Sequence, residues 1–242
     1  MSTLPLEQAI AASYRNVERL VDDARELFEG GRFPSAYALA VLAQEEAAKV
    51  YLLDLVRLGD VPWNDGVKRA VRDHTCKHLL AEVLDYMDSE LEAILERARQ
   101  RLPDPPDLLR VPDRILSVLE IFRYEKVSAF IDGHPPFWIE DPKYDPGAVR
   151  IAEGRADGLK QDAIYVRLGK NGQLSSEPQH AISEEMAGQA LERANRLSSA
   201  VRGIEKGTPA LWNYDEVRRW LRILFTDPEV LRAQGLLNDP VL

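Results

Sequence analysis

Cysteine is almost missing from this chain: Cys76 is the single copy in 242 residues. That excludes an internal disulfide framework and any metal centre built on several thiolates. Long apolar runs are missing too. The longest, Ala36 to Ala43 (AYALAVLA), falls far short of the roughly 20 residues a membrane-spanning helix requires. The opening stretch MSTLPLEQAIAASYRNVERL carries acids and helical periodicity, so no signal peptide is expected there and the expected compartment is cytoplasmic. Positive charge is in deficit, with a formal net charge of −9. That weighs against broad electrostatic binding to nucleic acid, although a local basic patch can still grip RNA. What is present, 45% hydrophobic and 29% charged residues, is the composition of a globular protein. There is neither an internal repeat nor a low-complexity tract, and the chain reads as one helical domain spanning 1–242. Its core bundle covers about 5–132, and a C-terminal extension over about 148–242 packs on it.

The expected fold class is all-α, or nearly so. From about Leu6 to Phe28, the residues Ile10, Val17, Leu20, Val21, Ala24, Leu27 and Phe28 form one stripe of an amphipathic helix. Gly30-Gly31 ends it, and Pro34 suits the first turn of the next. That second helix, about Pro34 to Leu58, is apolar all round from Ala36 to Ala43 and resumes the pattern from Val50 to Val56, so other helices must surround it. Trp63-Asn64-Asp65 caps a third helix expected to run to about Leu102, with Leu79, Leu80, Val83, Leu84, Met87, Leu91, Ile94 and Leu95 inward. A fourth follows from about Asp113 to Ile131. Gly133 to Gly147, with its four prolines, reads as a loop. A short helix is expected over Ala148 to Leu159. A strand or hairpin follows near 163–174, from Ala163-Ile164-Tyr165-Val166-Arg167-Leu168 through a Gly-Lys-Asn-Gly turn to Gln173-Leu174. Helices resume at about Ser183 to Lys206 and Tyr214 to Phe225.

Two clusters carry potential chemistry. The first is Gln44-Glu45-Glu46 with Lys49, set into the middle of the buried second helix, where charge is costly unless paired or used. Glu45 and Lys49, four apart, can pair on one face. Two readings stay open: an ion pair that fixes helix register, or an acid that projects into a cleft and orients a catalytic group. The second is Lys68-Arg69-Ala70-Val71-Arg72-Asp73-His74-Thr75-Cys76-Lys77-His78, the most basic short segment, holding two of the four histidines. Asp73 and Lys77 can pair at four apart, and His74 and His78 share a face. Two histidines at that spacing could hold zinc, but no third ligand accompanies them, so no metal is expected. The bland reading is a solvated basic helix start. His134 and His180 fall in loops, and Trp212, Tyr214 and Trp220 suit packing of the terminal helices. Glu177 and His180 have the spacing of a di-iron ligand pair but follow a proline-containing loop.

The order of these elements matters. Leu20-Val21-Asp22-Asp23-Ala24, Gly31-Arg32-Phe33-Pro34-Ser35-Ala36 and Leu42-Ala43-Gln44-Glu45-Glu46-Ala47-Ala48-Lys49 are followed by His74-Thr75-Cys76-Lys77, then by Leu159-Lys160-Gln161-Asp162-Ala163-Ile164-Tyr165-Val166. The series resembles the AbiV family of abortive infection proteins, within the HEPN superfamily of helical proteins, many of them RNases. The A-x-E-E-x-x-K run, an H-x-x-K element and a K-Q-x-x-L-Y-V segment correspond in order. A lysine often found directly after the family's histidine is Thr75 here.

The resemblance implies a HEPN-like helical bundle and an anti-phage defence role. It points either to a metal-independent endoribonuclease or translation inhibitor acting as a homodimer, or to a non-catalytic helical scaffold working through a protein partner. HEPN nucleases carry Arg-x4–6-His, and here Arg69 precedes His74 with four residues between and Arg72 precedes His78 with five. Arginine is common enough in this chain for such spacings to arise by chance. The position at a helix start, beside the histidine element, gives the spacing its weight. Five residues of regular helix turn through about 140°, so Arg69 and His74 converge only in an irregular first turn or across two subunits. In the implied chemistry His74 moves the proton of a ribose 2′-hydroxyl, and Arg69 or Arg72 stabilises phosphate charge. Lys77 adds to that clamp, and Glu45, on the helix that also carries Lys49, orients His74 or an arginine. No cofactor is implied. The partners implied are a second copy, an RNA target and a phage-encoded activator or regulatory protein.

Overall fold

Alanine decides how the bundle packs. The second helix places Ala36, Ala38, Ala40, Ala43, Ala47 and Ala48 at 3% exposure or less, and side chains this short let neighbouring helices close on it from several sides. The computed structural model describes residues 3–99, 113–127, 145–207 and 215–226, with 230 and 233, and over these the protein is mostly helical. Helix α1 (Thr3–Glu29) and helix α2 (Phe33–Arg57) form an antiparallel hairpin. Their turn closes with Arg32 N–H donating to the Leu27 carbonyl at 2.8 Å while Gly31 takes the left-handed φ of 70°.

Helices α3 (Asp65–Ala70), α4 (His74–Arg99) and α5 (Asp113–Val127) come next. They are followed by α6 (Pro146–Ala152), α7 (Arg155–Asp162), strands β1 (Arg167–Leu168) and β2 (Leu174–Ser176), and α8 (Pro178–Ala181). Helix α9 (Glu184–Val201), a 3₁₀ turn (Ile204–Lys206) and α10 (Asp215–Phe225) complete the described chain. Helix α2 is the axis: α1, α9 and α4 all pack on it, and α5 and α6 pack on α4. The Gln44 side-chain amide donates to the Ala190 carbonyl at 2.9 Å, fixing α9 on α2. Phe122 of α5 meets Phe225 of α10 edge-on, with ring centroids 5.7 Å apart. Among the described residues, no helix is long and apolar enough to cross a membrane.

The element boundaries differ from the sequence reading in four places. The single helix expected from the Asn64 cap onward is two, because the chain turns at Val71-Arg72-Asp73 and restarts. Asn64 does cap α3, accepting from Val67 N–H at 3.0 Å, but Asp73 then caps α4 by accepting from Cys76 N–H at 3.0 Å. The short helix expected over 148–159 is likewise two, α6 and α7, separated at Gly154 with φ of 75°. The expected loop up to Gly147 ends early, since Pro146 already opens α6; residues 128–144 lie outside those described. The hairpin is present but starts later. Ile164, Tyr165 and Val166 precede β1 without pairing and are at least half exposed.

Candidate functional site

One carboxylate organises the middle of the bundle. Glu45, halfway along α2, is 1% exposed, and two elements, α4 and α7, converge on it. From the first turn of α4, His74 Nδ1 and Lys77 Nζ each lie 2.7 Å from Glu45 Oε2. From α7, Lys160 Nζ lies 2.7 Å from Oε1, and His78 Nε2 approaches the same oxygen at 3.4 Å. Lys160 is also 2.8 Å from Asp157, one turn earlier on α7.

These pieces meet because of the local features already described. The Asp73 cap makes His74 the first residue of α4, so His74, Lys77 and His78 fall on the face turned to α2. Ala163, buried at the end of α7 with Ala38, Ile182 and Ala187, pins that short helix against α2 and α9.

The electrostatics follow from the convergence. Burial works against ionising Glu45, but His78, Lys160 and Lys77 overcome it and hold the carboxyl down at about 2. Burial disfavours the charged form of His78 more than Glu45 favours it, and pushes that imidazole down to about 4, so His78 is neutral near pH 7. Lys160 is held above the usual lysine range: burial opposes its charge, while Asp157 and Glu45 outweigh burial. Asp157 is held below the usual carboxylate range, burial again being outweighed by the bond from Lys160.

His74 differs from its neighbours in exposure: half of its side chain faces solvent. Its Nδ1 is 2.7 Å from Glu45 and 3.1 Å from the Lys160 ammonium. The ionised Glu45 carboxylate can only accept, so at 2.7 Å Nδ1 carries the proton and donates it to Oε2, and Lys160 donates to Glu45 and Asp157. In the neutral ring Nε2 is then a free base. His78 Nε2, by contrast, is buried without a hydrogen-bond partner among the described residues.

The remaining sequence candidates are placed elsewhere. Lys49 does not pair with Glu45; it turns to Glu46 at 2.6 Å, because three-residue spacing brings it to a partly exposed carboxylate while Glu45 points inward. Lys77, expected to face a phosphate, is buried on Glu45, and so does not pair with Asp73. Arg69 and Arg72 line a shallow depression on α3 together with Asp65, Lys68 and Asp73, with Arg69 Nε 3.8 Å from Asp73. His74 opens the helix directly after that depression but is not part of its lining. His180 is a surface residue 3.4 Å from Glu177, Trp220 is partly exposed, and His134, Trp212 and Tyr214 lie outside the described residues.

Lys160 and Asp157 had no assigned role in the sequence reading. The only available signal was that Lys160 sits in the Lys-Gln-x-x-Ile-Tyr-Val segment. Among the described residues, no group of three or more His, Cys, Asp or Glu side chains is arranged to hold a metal. Glu45 is near two histidines, but Lys77 and Lys160 already occupy its oxygens.

No curated protein and no solved structure matches this chain. The family model HEPN_AbiV, described as AbiV, matches residues 6–199, a span that includes Glu45, His74, Lys77, His78, Asp157 and Lys160. The match covers most of the chain, and with the helical architecture it makes this protein a member of the AbiV family of HEPN proteins.

Proposed function

We propose that this protein is a cytoplasmic abortive-infection effector that cleaves RNA without a metal ion, with His74 as its general base. The observation that carries the reading is the Glu45–His74 pair: a half-exposed imidazole whose Nδ1 is fixed on a buried carboxylate, so that Nε2 faces outward as a base. His74 Nε2 takes the proton of a ribose 2′-hydroxyl, and the 2′-oxygen attacks the adjacent phosphorus. The bond from phosphorus to the 5′-oxygen breaks, and water supplies the proton to that oxygen. The products are a 2′,3′-cyclic phosphate and a 5′-hydroxyl. Lys77 is spent on Glu45, so charge on the phosphate falls to Arg69 or Arg72, on the exposed depression beside the helix break. A second copy of the chain supplies the facing depression, and an infection-dependent protein partner releases the activity.

The test is cleavage of a labelled ribo-oligonucleotide by wild type, H74A and R69A/R72A, with end-group analysis, beside induced expression with and without phage. Wild type should leave cyclic phosphate ends and arrest growth, and H74A should lose about a hundredfold or more in rate while keeping its fold. A second reading has its own observation: Ile164, Tyr165, Val166, Leu168 and Leu174 expose a run of apolar surface at the hairpin, suited to a protein partner. Equal protection by wild type and H74A with RNA intact would favour that reading and sink the first.

A further inference from the structure

A base oriented by a buried carboxylate faces a difficulty. The same negative charge that fixes the imidazole also favours its protonated form, which cannot accept a proton. Something must offset the carboxylate without taking the oxygen that holds the ring.

We infer that Lys160 is the positioning residue that does this: it occupies Glu45 Oε1, leaves Oε2 to His74 and Lys77, and, as the cation that also touches the His74 ring, keeps His74 able to act as a base. The catalytic meaning of this role rests on the nuclease reading above. Lys160 lies 115 positions along the chain from Glu45, yet its nitrogen is 2.7 Å from Oε1 and 3.1 Å from His74 Nδ1. It is a cation in contact with both members of the pair. Its side chain is 8% exposed, so it does not reach a bound phosphate directly. Asp157 contacts the ammonium from the far side at 2.8 Å, while Glu45 keeps it in place.

The charged and titratable groups around His74 come from three elements. Glu45 faces it from α2, and Lys160 and Asp157 face it from α7. Lys77 and His78 lie on its own helix. Arg193 of α9 acts at one remove, on His78. Of these, Lys160 and Asp157 can be changed without touching His74's hydrogen bond to Glu45, and their charges act on the ring with opposite sign.

The experiment follows the imidazole nitrogens of His74 by ¹⁵N NMR against pH in the full-length protein, with H74A giving the assignment. RNA cleavage is measured over the same pH range. In K160M the His74 titration midpoint should rise by at least about half a pH unit, since the cation opposing its protonation is gone. The acidic limb of the kcat/KM profile should rise with it, while K160R stays near wild type. In D157N, where the ammonium is kept but its counter-charge removed, the midpoint should fall.

An unchanged midpoint in a folded K160M, or an unchanged or raised midpoint in D157N, overturns the inference. Should K160M fail to fold, D157N alone decides, because Asp157 is partly exposed and its loss leaves the core intact. Opposite shifts in the two variants, combined with RNA left whole by wild type and H74A alike, would uphold the electrostatic role and discard the nuclease reading.

Discussion

A carboxylate at 1% exposure persists in a helix of alanines and leucines only because each of its oxygens is used. Replacing Glu45 by glutamine removes the charge, leaving Lys77 buried beside a neutral amide and Lys160 with Asp157 as its remaining carboxylate. E45Q should therefore lose about 3–5 kcal/mol in chemical denaturation, far more than a surface substitution. A loss under about 1 kcal/mol would mean that the ammonium groups find water instead.

The same cluster sets the response to acid. His78 in the folded protein is pushed down from 6.5 to about 4, so between those values the unfolded chain binds the extra proton and stability falls as pH drops through this window. Glu45 is lowered from 4.5 to about 2; its stabilisation is complete above 4.5 and is lost as pH falls toward 2. Thermal melts of wild type should decline in these two successive windows. H78Q should flatten the upper one, which amounts to on the order of 2–3 kcal/mol, and narrow the lower one without abolishing it, because Lys160 and Lys77 still hold Glu45 down. Melts of H78Q that fall as steeply as wild type between pH 6.5 and 4 would place the acid-sensitive group elsewhere.

At the scale of elements, the helices were legible wherever one face is apolar. The stripes of α1 and α9 and the all-round apolarity of α2 state their burial directly in the sequence. The break between α3 and α4 was not legible, because Val71-Arg72-Asp73 contains no glycine or proline and every residue in it is compatible with helix. What identifies it is the competition won by the Asp73 side chain, which takes the Cys76 N–H. Nor could periodicity find Lys160. Spacing rules pair residues three or four apart, whereas the partner of Glu45 on α7 arrives through tertiary packing. The Glu45–Lys49 pairing failed for the complementary reason: Glu46 offers Lys49 an equally local and less buried partner. Since the Asp73 cap fixes the start of α4, D73A should cost about 1 kcal/mol of stability. It should also cost more in RNA cleavage than that loss explains, because His74 is the residue the cap places. The comparison is kcat at a temperature well below both melting transitions. Equal kcat in D73A and wild type would show that helix packing alone positions His74.

The whole molecule carries a net charge of −9, so whatever RNA it holds must be gripped locally and against a repulsive background. The exposed depression offers three cations per copy: Lys68, Arg69 and Arg72. For a single strand each neutralised phosphate contributes about −0.7 to the slope of log K against log salt, so one copy gives about −2 and two copies on one strand give about −4. The homodimer proposed above predicts the steeper value. The measurement is fluorescence anisotropy of a labelled ribo-oligonucleotide with H74A, which should bind without cutting, over a series of KCl concentrations. R72A should then reduce the slope by about 1.4 if both copies contribute, and by about 0.7 if one does. A slope near −2 would leave the cleavage chemistry to a single chain, and a slope near zero would mean that the depression takes no phosphate at all.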